Sequence, residues 1–522
     1  MGTARSARSL VFAVASRLRE AELLLWAMVA AALVLRLPYL DESIGYDELW
    51  STRVRLAPWA TLLDTIWRDV HPPLYSLLLA GWVGVFGDSE VSIRIPPLLA
   101  GLAALPVLFS LARRFVPHAT ALLATFLLAV SPVHIWYSRE ARPYSVLLLL
   151  TLLTLLAYYR WRERPGDRRR MWLYLMAALA ASMTHYFVVG LLGVLTLLAF
   201  IQARRIWPRL MLVHIAVLSA VALVILNTRA YLLAFDHTSH LRAFPLPELW
   251  MLMFNWFAVG NTWWRVGPIE SFAAFPLRAE MIALQLCFAA LFAIGTVAIF
   301  RRSRHRLDLP LLLLGVPAGL LALTLAGSRD VFLERSLMLV LPLFLVLLAA
   351  GATAFRSPVV TAICVSLLLV VNVLSVGQLF AKIDTVTVGG PTTDWRGVAD
   401  YLRVQPESDR PIRPAFALSG LHSLRYYGVP EQFVRHVAPD TYLELRQAMG
   451  RRIVTSETPL NGGDTCKLFA FMGGVTFSIV IAGAPSGQQH ALATEVLADR
   501  RCELIERRTF GQATVYTFRA AG

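Results

Sequence analysis

The stretch MIALQLCFAALFAIGTVAIFRRSRHR, residues 281–306, sets the reading of the whole chain: twenty uncharged residues run straight into four arginines. A helix rises about 1.5 Å per residue, so such a run covers the roughly 30 Å hydrocarbon core of a bilayer. Arginine does not follow it into lipid, and clusters of Lys and Arg mark the cytoplasmic end of a span. The same alternation recurs along the chain. Further apolar runs lie at Leu23–Tyr39, Ile95–Leu111, Thr120–Trp136, Tyr144–Tyr159, Met171–Thr184, Phe187–Ile201, Leu210–Leu226, Leu309–Leu325, Ser336–Ala354 and Val359–Leu379. Together they predict about eleven transmembrane helices, with Met171–Thr184 and Phe187–Ile201 forming a close hairpin.

Composition agrees with this class. Of the 522 residues, 57% are hydrophobic and 16% charged, more apolar than soluble domains are. The net charge of +15 does not signal nucleic acid. The sequence has no zinc-finger spacing, no Gly-rich phosphate loop and no basic stretch interleaved with aromatics. Its arginines fall instead between apolar runs. Arg5, Arg8, Arg17 and Arg19 precede the first run with no small-residue cleavage pattern after it, which reads as a retained signal anchor with a cytoplasmic start. With the N-terminus inside, the clusters at Arg113–Arg114, Arg160–Arg170, Arg204–Arg209, Arg301–Arg306 and Arg356 all become cytoplasmic. The segment His71–Gly87, with its apolar LYSLLLAGWVGVF, is apolar enough to span yet rather short, and counting it as a crossing would invert every later loop. It reads as a juxtamembrane or half-inserted helix within an external first loop, residues 41–94.

After Leu379 the pattern changes. Strand-like runs PAFALSG and FSIVIAG, a helix-like QQHALATEVLAD and a final strand pair ELIERRTF and ATVYTFR predict a soluble α/β domain over residues 381–522, behind a membrane domain over residues 1–380. On the assigned topology this domain is external, where Cys466 and Cys502 have the chance to pair; Cys287 and Cys364 sit inside apolar runs as filler.

Candidate chemistry collects in the external loops. DESIGYDELW places Asp47 and Glu48 at a helix start beside the membrane, either as a solvated capping pair or as a carboxylate base. RDVHPPLYS presents His71 on the stiff Pro72–Pro73 element, as a turn or as a contact to phosphate or metal. SPVHIWYSREARPYS brings Arg139, Glu140 and Arg142 between tyrosines, where arginines serve as interface anchors but an ionisable Glu140 points to an inward-facing site. SRDVFLERSLMLVLP sets Arg329 and Arg335 at the mouth of a late helix, as anchors or as phosphate-binding forks. All these loops, with His185, reach the same side of the membrane.

In this order, GYDELW, DVHPPLYSLLLAGWVGVFGDSEVSIRIPPLLAG, SPVHIWYSREARPYS and FLERSLMLVLP resemble the membrane glycosyltransferases of the GT-C fold. The branch is the glycosyltransferase family 39-like one that unites protein O-mannosyltransferases with the bacterial transferases adding aminoarabinose to lipid A. The resemblance covers roughly the first 380 residues. It implies an inverting transfer of a sugar from a polyprenyl-phosphate donor to a lipid, glycan or protein acceptor, on the external face of the bacterial inner membrane. Within it, Asp47 corresponds to the catalytic Asp, with Glu48 beside it. His71 stands at the basic position before Pro72, Pro73 and Leu74. Arg335 corresponds to the late-helix Arg, although Ser336 replaces the aromatic that usually follows. His71, Arg335 and Arg329 are thus expected at the donor phosphate. Tyr46, Pro72, Pro73, Tyr75, Glu140, Arg142, Tyr144 and His185 are the substrate-site candidates. The resemblance leaves a divalent metal open, with Asp47, His71 and Glu140 as the donor set, and brings no other cofactor. From another class, a transporter or lipid flippase would want polar residues at mid-membrane and an internal repeat; a third reading is a subunit that binds a polyprenyl lipid without catalysis.

Overall fold

A computed structural model describes residues 22–45, 48, 51–52, 62–67, 69, 71–234, 256–260, 279–302, 307–326, 334–381, 394–404, 412–414, 427, 476–482, 497–498, 502–510 and 513–520. The chain divides into two compact units, Met1–Leu40 with Ser51–Gly390, and Asp41–Trp50 with Pro391–Gly522.

Among the described residues, the first unit is helical. Helix α1 spans Glu22–Val34, α2 Leu62–Trp67 and α3 Leu74–Phe86. The series continues with α4 Glu90–Ala112, α5 His118–Ala129, α6 Pro132–Ser138 and α7 Tyr144–Glu163. Then come α8 Arg168–Ser182, α9 Val188–Gln202, α10 Trp207–Ala234, α11 Ala279–Arg302 and α12 Asp308–Ala326. A 3₁₀ turn, Glu334–Leu339, leads into α13 Leu341–Ala352 and α14 Pro358–Phe380. Each apolar run of the sequence has a helix. Among the described residues, five helices are long and apolar enough to cross a membrane, or six if the bent pair α5–α6 is one span. The chain is a multi-pass membrane protein.

Local chemistry explains where helix ends depart from the apolar runs. Helix α4 begins five residues before Ile95 because Ser89 caps it, its hydroxyl accepting the Ser92 N–H. The run Thr120–Trp136 is not one rod. It bends by 57° between α5 and α6, since Pro132 lacks an N–H and Ser131 starts a new helix by accepting the His134 N–H. The run Ser336–Ala354 is likewise split into a 3₁₀ turn and α13, with Pro342 near the start of the latter. At 13 residues α3 is about 20 Å long, short of the hydrocarbon thickness.

Helices α4 and α7 bury most of their surface inside the unit, whereas α10, α11 and α14 turn most of theirs outward. Exposed leucines, valines and isoleucines such as Leu212, Leu286 and Ile363 line those outer helices, as lipid-facing positions require. Inside, α11 and α13 approach until backbone meets backbone. A Cβ at Gly295 would collide with the carbonyl of Leu347, and one at Gly351 with that of Leu291. Small residues of this kind let membrane helices touch. On the predicted cytoplasmic side Arg162 joins α7 to α12 through a 2.8 Å ion pair with fully buried Asp308.

The second unit is α/β. Helix α15, Trp395–Val404, accompanies a four-stranded sheet in the order β1-β2-β4-β3. The strands are β1 Ile412–Pro414, β2 Thr476–Ala482, β3 Cys502–Phe510 and β4 Ala513–Ala520. Strands β1 and β2 run parallel, and β4 is antiparallel to both β2 and β3, with a register shift between Leu504 and Glu506. The run PAFALSG coincides with β1 only at Pro414, and nearly all of QQHALATEVLAD lies outside the described residues. Cys502 is disulfide-bonded, whereas Cys287 and Cys364 are free thiols; Cys466 lies outside the described residues.

Candidate active site

The HPP element is fixed by the residue two before its histidine. Asp69 Oδ1 accepts the backbone N–H of His71 at 2.9 Å and lies 3.1 Å from its ring Nδ1. This is an Asx-type turn, which Asp forms readily with a backbone N–H two residues on. Pro73 then caps α3, and the N–H of Leu74 donates to the carbonyl of Met183 at 2.9 Å, tying the first loop to the α8–α9 connection.

That connection delivers His185. Its ring meets His71 edge-on at 5.3 Å and Phe187 at 4.3 Å. Tyr144, at the start of α7, lies 6.3 Å from His185 and packs at 4.8 Å against Tyr137, which in turn is 6.2 Å from Trp256. Arg142 is 5% exposed. Its Nη1 lies 3.4 Å from Ser51 Oγ, and its guanidinium sits 5.9 Å from the centre of the Tyr144 ring.

Burial alone would raise the Asp69 carboxyl. The hydrogen bond and charge of His71, the charge of Arg142 and the backbone N–H more than reverse this, and its pKa is pushed down to about 2. A fixed anion thus sits behind the imidazole and accepts from its Nδ1 edge. On Tyr186 burial raises the phenol, as does the charge of Asp69.

The site therefore unites His71, Arg142, Tyr144 and His185 with Asp69, Tyr137 and Trp256. Pro72 and Tyr75 are buried beside the turn. Glu140 is half-buried, and its carbonyl accepts the Arg142 N–H at 2.7 Å. Arg335 lies in the 3₁₀ turn Glu334–Leu339. Tyr46, Asp47 and Arg329 lie outside the described residues. Glu48, in the second unit, is buried, and its Oε2 accepts the N–H of Gly45 at 2.8 Å, the reach-back expected of a capping carboxylate. The same segment is held within that unit: Tyr427 OH accepts the Ile44 N–H at 2.9 Å, and Ser43 Oγ accepts the Arg396 N–H at 3.1 Å. Among the described residues no three His, Cys, Asp or Glu side chains are placed to hold a metal ion; Asp47, one of the expected donors, is not among them.

Sequence reasoning missed Asp69, although the spacing Asp-Val-His-Pro carries the Asx-turn signal. Tyr137 and Trp256 carried no such signal, because an aromatic at a membrane boundary is ordinarily part of the aromatic belt.

Residues 70–231, which contain His71, Arg142, Tyr144 and His185, match the family model for dolichyl-phosphate-mannose-protein mannosyltransferase. No curated protein matches the chain. Among solved structures, ArnT from Cupriavidus metallidurans in the apo state is similar over 94% of this chain and 97% of its own, with a TM-score of 0.54 and 14% identity. The same protein bound to undecaprenyl phosphate is similar over the same shares, with a TM-score of 0.52 and 16% identity. The chain has the GT-C membrane fold.

Proposed function

We propose that this GT-C chain is an inverting glycosyltransferase that moves a sugar from a polyprenyl-phosphate carrier to a hydroxyl of a lipid, glycan or protein acceptor. The observation that carries the reading is the Asp69-anchored His71 against His185, with Arg142 over the Tyr144 ring that packs on Tyr137. Cations held by fixed anions and rings suit the growing charge of a departing phosphate, and guanidinium suits its geometry. Ring faces suit the sugar. Undecaprenyl phosphate in the ArnT structure is a ligand of the chemistry this arrangement would take.

In the mechanism, the acceptor oxygen attacks the anomeric carbon as its C–O bond to the lipid phosphate breaks. The acceptor proton passes to Asp47, and the lipid phosphate leaves with the bonding pair, steadied by Arg142, His71 and Arg335. One displacement inverts the anomeric centre. General base catalysis of this kind contributes about 10² to 10⁴ in rate. The topology that accompanies it has the N-terminus in the cytoplasm of a bacterium, about eleven crossings of the inner membrane, and residues 381–522 outside as a soluble domain.

Purified protein given a radiolabelled polyprenyl-phosphate sugar and a membrane extract as acceptor tests the reading. Label should pass to an acceptor, and Asp47→Asn should abolish transfer while leaving a folded, membrane-inserted protein. Binding without turnover would favour a lipid-binding subunit, uptake into vesicles would favour a transporter, and full activity of Asp47→Asn would remove it as the base.

A further inference from the structure

Two basic connections lie side by side in the helical unit, on the predicted cytoplasmic side. One joins α7 to α8 and carries Arg164, with Arg168 and Arg169 at the start of α8. The other joins α9 to α10 and carries Arg204 and Arg205, with Arg209 in the first turn of α10. Two hydrogen bonds tie them together. Arg209 Nη1 donates to the carbonyl of Pro165 at 3.0 Å, and Arg162 Nη2, in the last turn of α7, donates to Oε1 of Gln202, the last residue of α9, at 3.1 Å.

The acidic side chains of this corner are already engaged. Asp308 pairs with Arg162 at 2.8 Å, Glu163 pairs with Arg114, and Asp167 pairs with Arg170 at 3.1 Å while capping α8. Arg164, Arg168, Arg169, Arg204, Arg205 and Arg209 are exposed, and among the described residues none of them has a carboxylate partner. Like charges gathered in this way repel, and an anion among them relieves the repulsion.

The surface next to them separates this corner from a solvated basic patch. On α8, Trp172, Leu173 and Met176 are each more than half exposed and stand one to two turns along from Arg168 and Arg169. On α10, Leu212 and Ile215 follow Arg209 at helical spacing and are as exposed. A row of guanidinium groups that runs into an outward-facing apolar stripe matches a molecule with an anionic head and hydrocarbon chains. A nucleic acid or an acidic protein would use the arginines and leave the stripe uncovered.

We propose that this corner is a binding site for an anionic phospholipid, its phosphate held by the arginines of both connections and its chains laid along Trp172, Leu173 and Met176. Guanidinium presents paired donors that match phosphate oxygens. The 15 residues of α8, about 22 Å of helix, stand between this corner and the α8–α9 connection that carries His185. The lipid site is therefore distinct from the candidate active site and does not rest on the enzymatic reading.

The test uses the full-length protein in phosphatidylcholine nanodiscs, prepared with and without diphosphatidylglycerol as the probe. Native mass spectrometry counts the lipid that stays with the protein, and quenching of tryptophan fluorescence by brominated chains reports where that lipid sits. Wild type should retain diphosphatidylglycerol over phosphatidylcholine by about tenfold or more. The triple variant Arg168→Gln, Arg169→Gln and Arg205→Gln should lower this preference about tenfold or more, since each arginine at an anionic headgroup contributes about fivefold. The same three positions changed to Lys should lose less, because charge is kept and only the fork is lost. Arg301→Gln with Arg302→Gln, exposed arginines at the end of α11, should leave the preference within about twofold. Quenching by brominated diphosphatidylglycerol should exceed that by brominated phosphatidylcholine at equal mole fraction, and the excess should vanish in Trp172→Phe. No preference in wild type, no loss in the triple variant, or an equal loss in the α11 pair would overturn the proposal, the last by showing diffuse attraction to net charge. Displacement of the lipid by excess sn-glycerol 3-phosphate would also overturn it, making the corner a site for free phosphate. If the triple variant does not insert, Arg164→Gln with Arg204→Gln decides by the same readings.

Discussion

Asp69 and His71 are joined twice: one carboxylate oxygen accepts the backbone N–H of His71 at 2.9 Å and faces its imidazole Nδ1 at 3.1 Å. The first contact shapes the turn, and the second sets an anion against the ring's Nδ1 edge. Asp69→Asn retains the first and loses the anion behind the ring. Transfer should drop about tenfold or more, with a small change in melting temperature. His71→Lys should keep much of the activity that His71→Ala loses; equal losses in both would show that a cation at this position is not what matters.

The carboxyl of Asp69 also makes stability pH-dependent. Its folded pKa of about 2 lies below the ordinary value of 3.8, so its contribution is complete above the ordinary value and is lost as pH falls through the folded one. The contribution is about 2 kcal/mol. Melting curves of the detergent-solubilised protein should fall more steeply between about pH 4 and pH 2 for wild type than for Asp69→Asn. Parallel curves would contradict this.

Arg142 bridges Ser51 and the Tyr144 ring and helps keep Asp69 ionised. Arg142→Gln should lower transfer by about 100-fold and move the acid limb of the melting profile upward. Arg142→Lys should restore the profile more than the activity, because an ammonium supplies charge without the fork.

The α11–α13 contact has no space for side chains. Gly351→Val forces a branched side chain against the Leu291 carbonyl, and should destabilise the unit by roughly 1–3 kcal/mol, read as a lower melting temperature. Gly193→Val, at a position where a Cβ meets nothing within 4 Å, is the control expected to melt like wild type.

Cys502 is disulfide-bonded while Cys287 and Cys364 are free. Non-reducing peptide mapping should recover a cross-linked peptide containing Cys502, with Cys466 as the other half. The bond fits an oxidising compartment and so an external tail. Labelling of Cys502 as a free thiol in intact cells would place the tail on the reducing side.

Much of the fold was legible because lipid imposes a simple rule: every backbone polar group must be satisfied within its own segment, so long apolar runs become helices. The run Met281–Phe300 became α11 within two residues at either end. Where runs misled, a local competitor was at work, as with Ser131 and Pro132 breaking Thr120–Trp136. In the candidate site, His71, Arg142, Tyr144 and His185 were visible as residues too polar for their place. Asp69 was readable but unread. Trp256 was not readable, since nothing in its neighbourhood distinguishes a site wall from a membrane belt.

The sequence by itself determined which segments enter lipid and which loops hold the ionisable groups, because hydropathy and charge are properties of single residues and short runs. Only the tertiary structure decided who stands beside whom. That His71 meets His185 across more than a hundred residues, and that Arg139 grips Tyr39 and Phe380 at once, follows from helix packing at fixed distances and crossing geometry. No run of residues, read locally, carries that information.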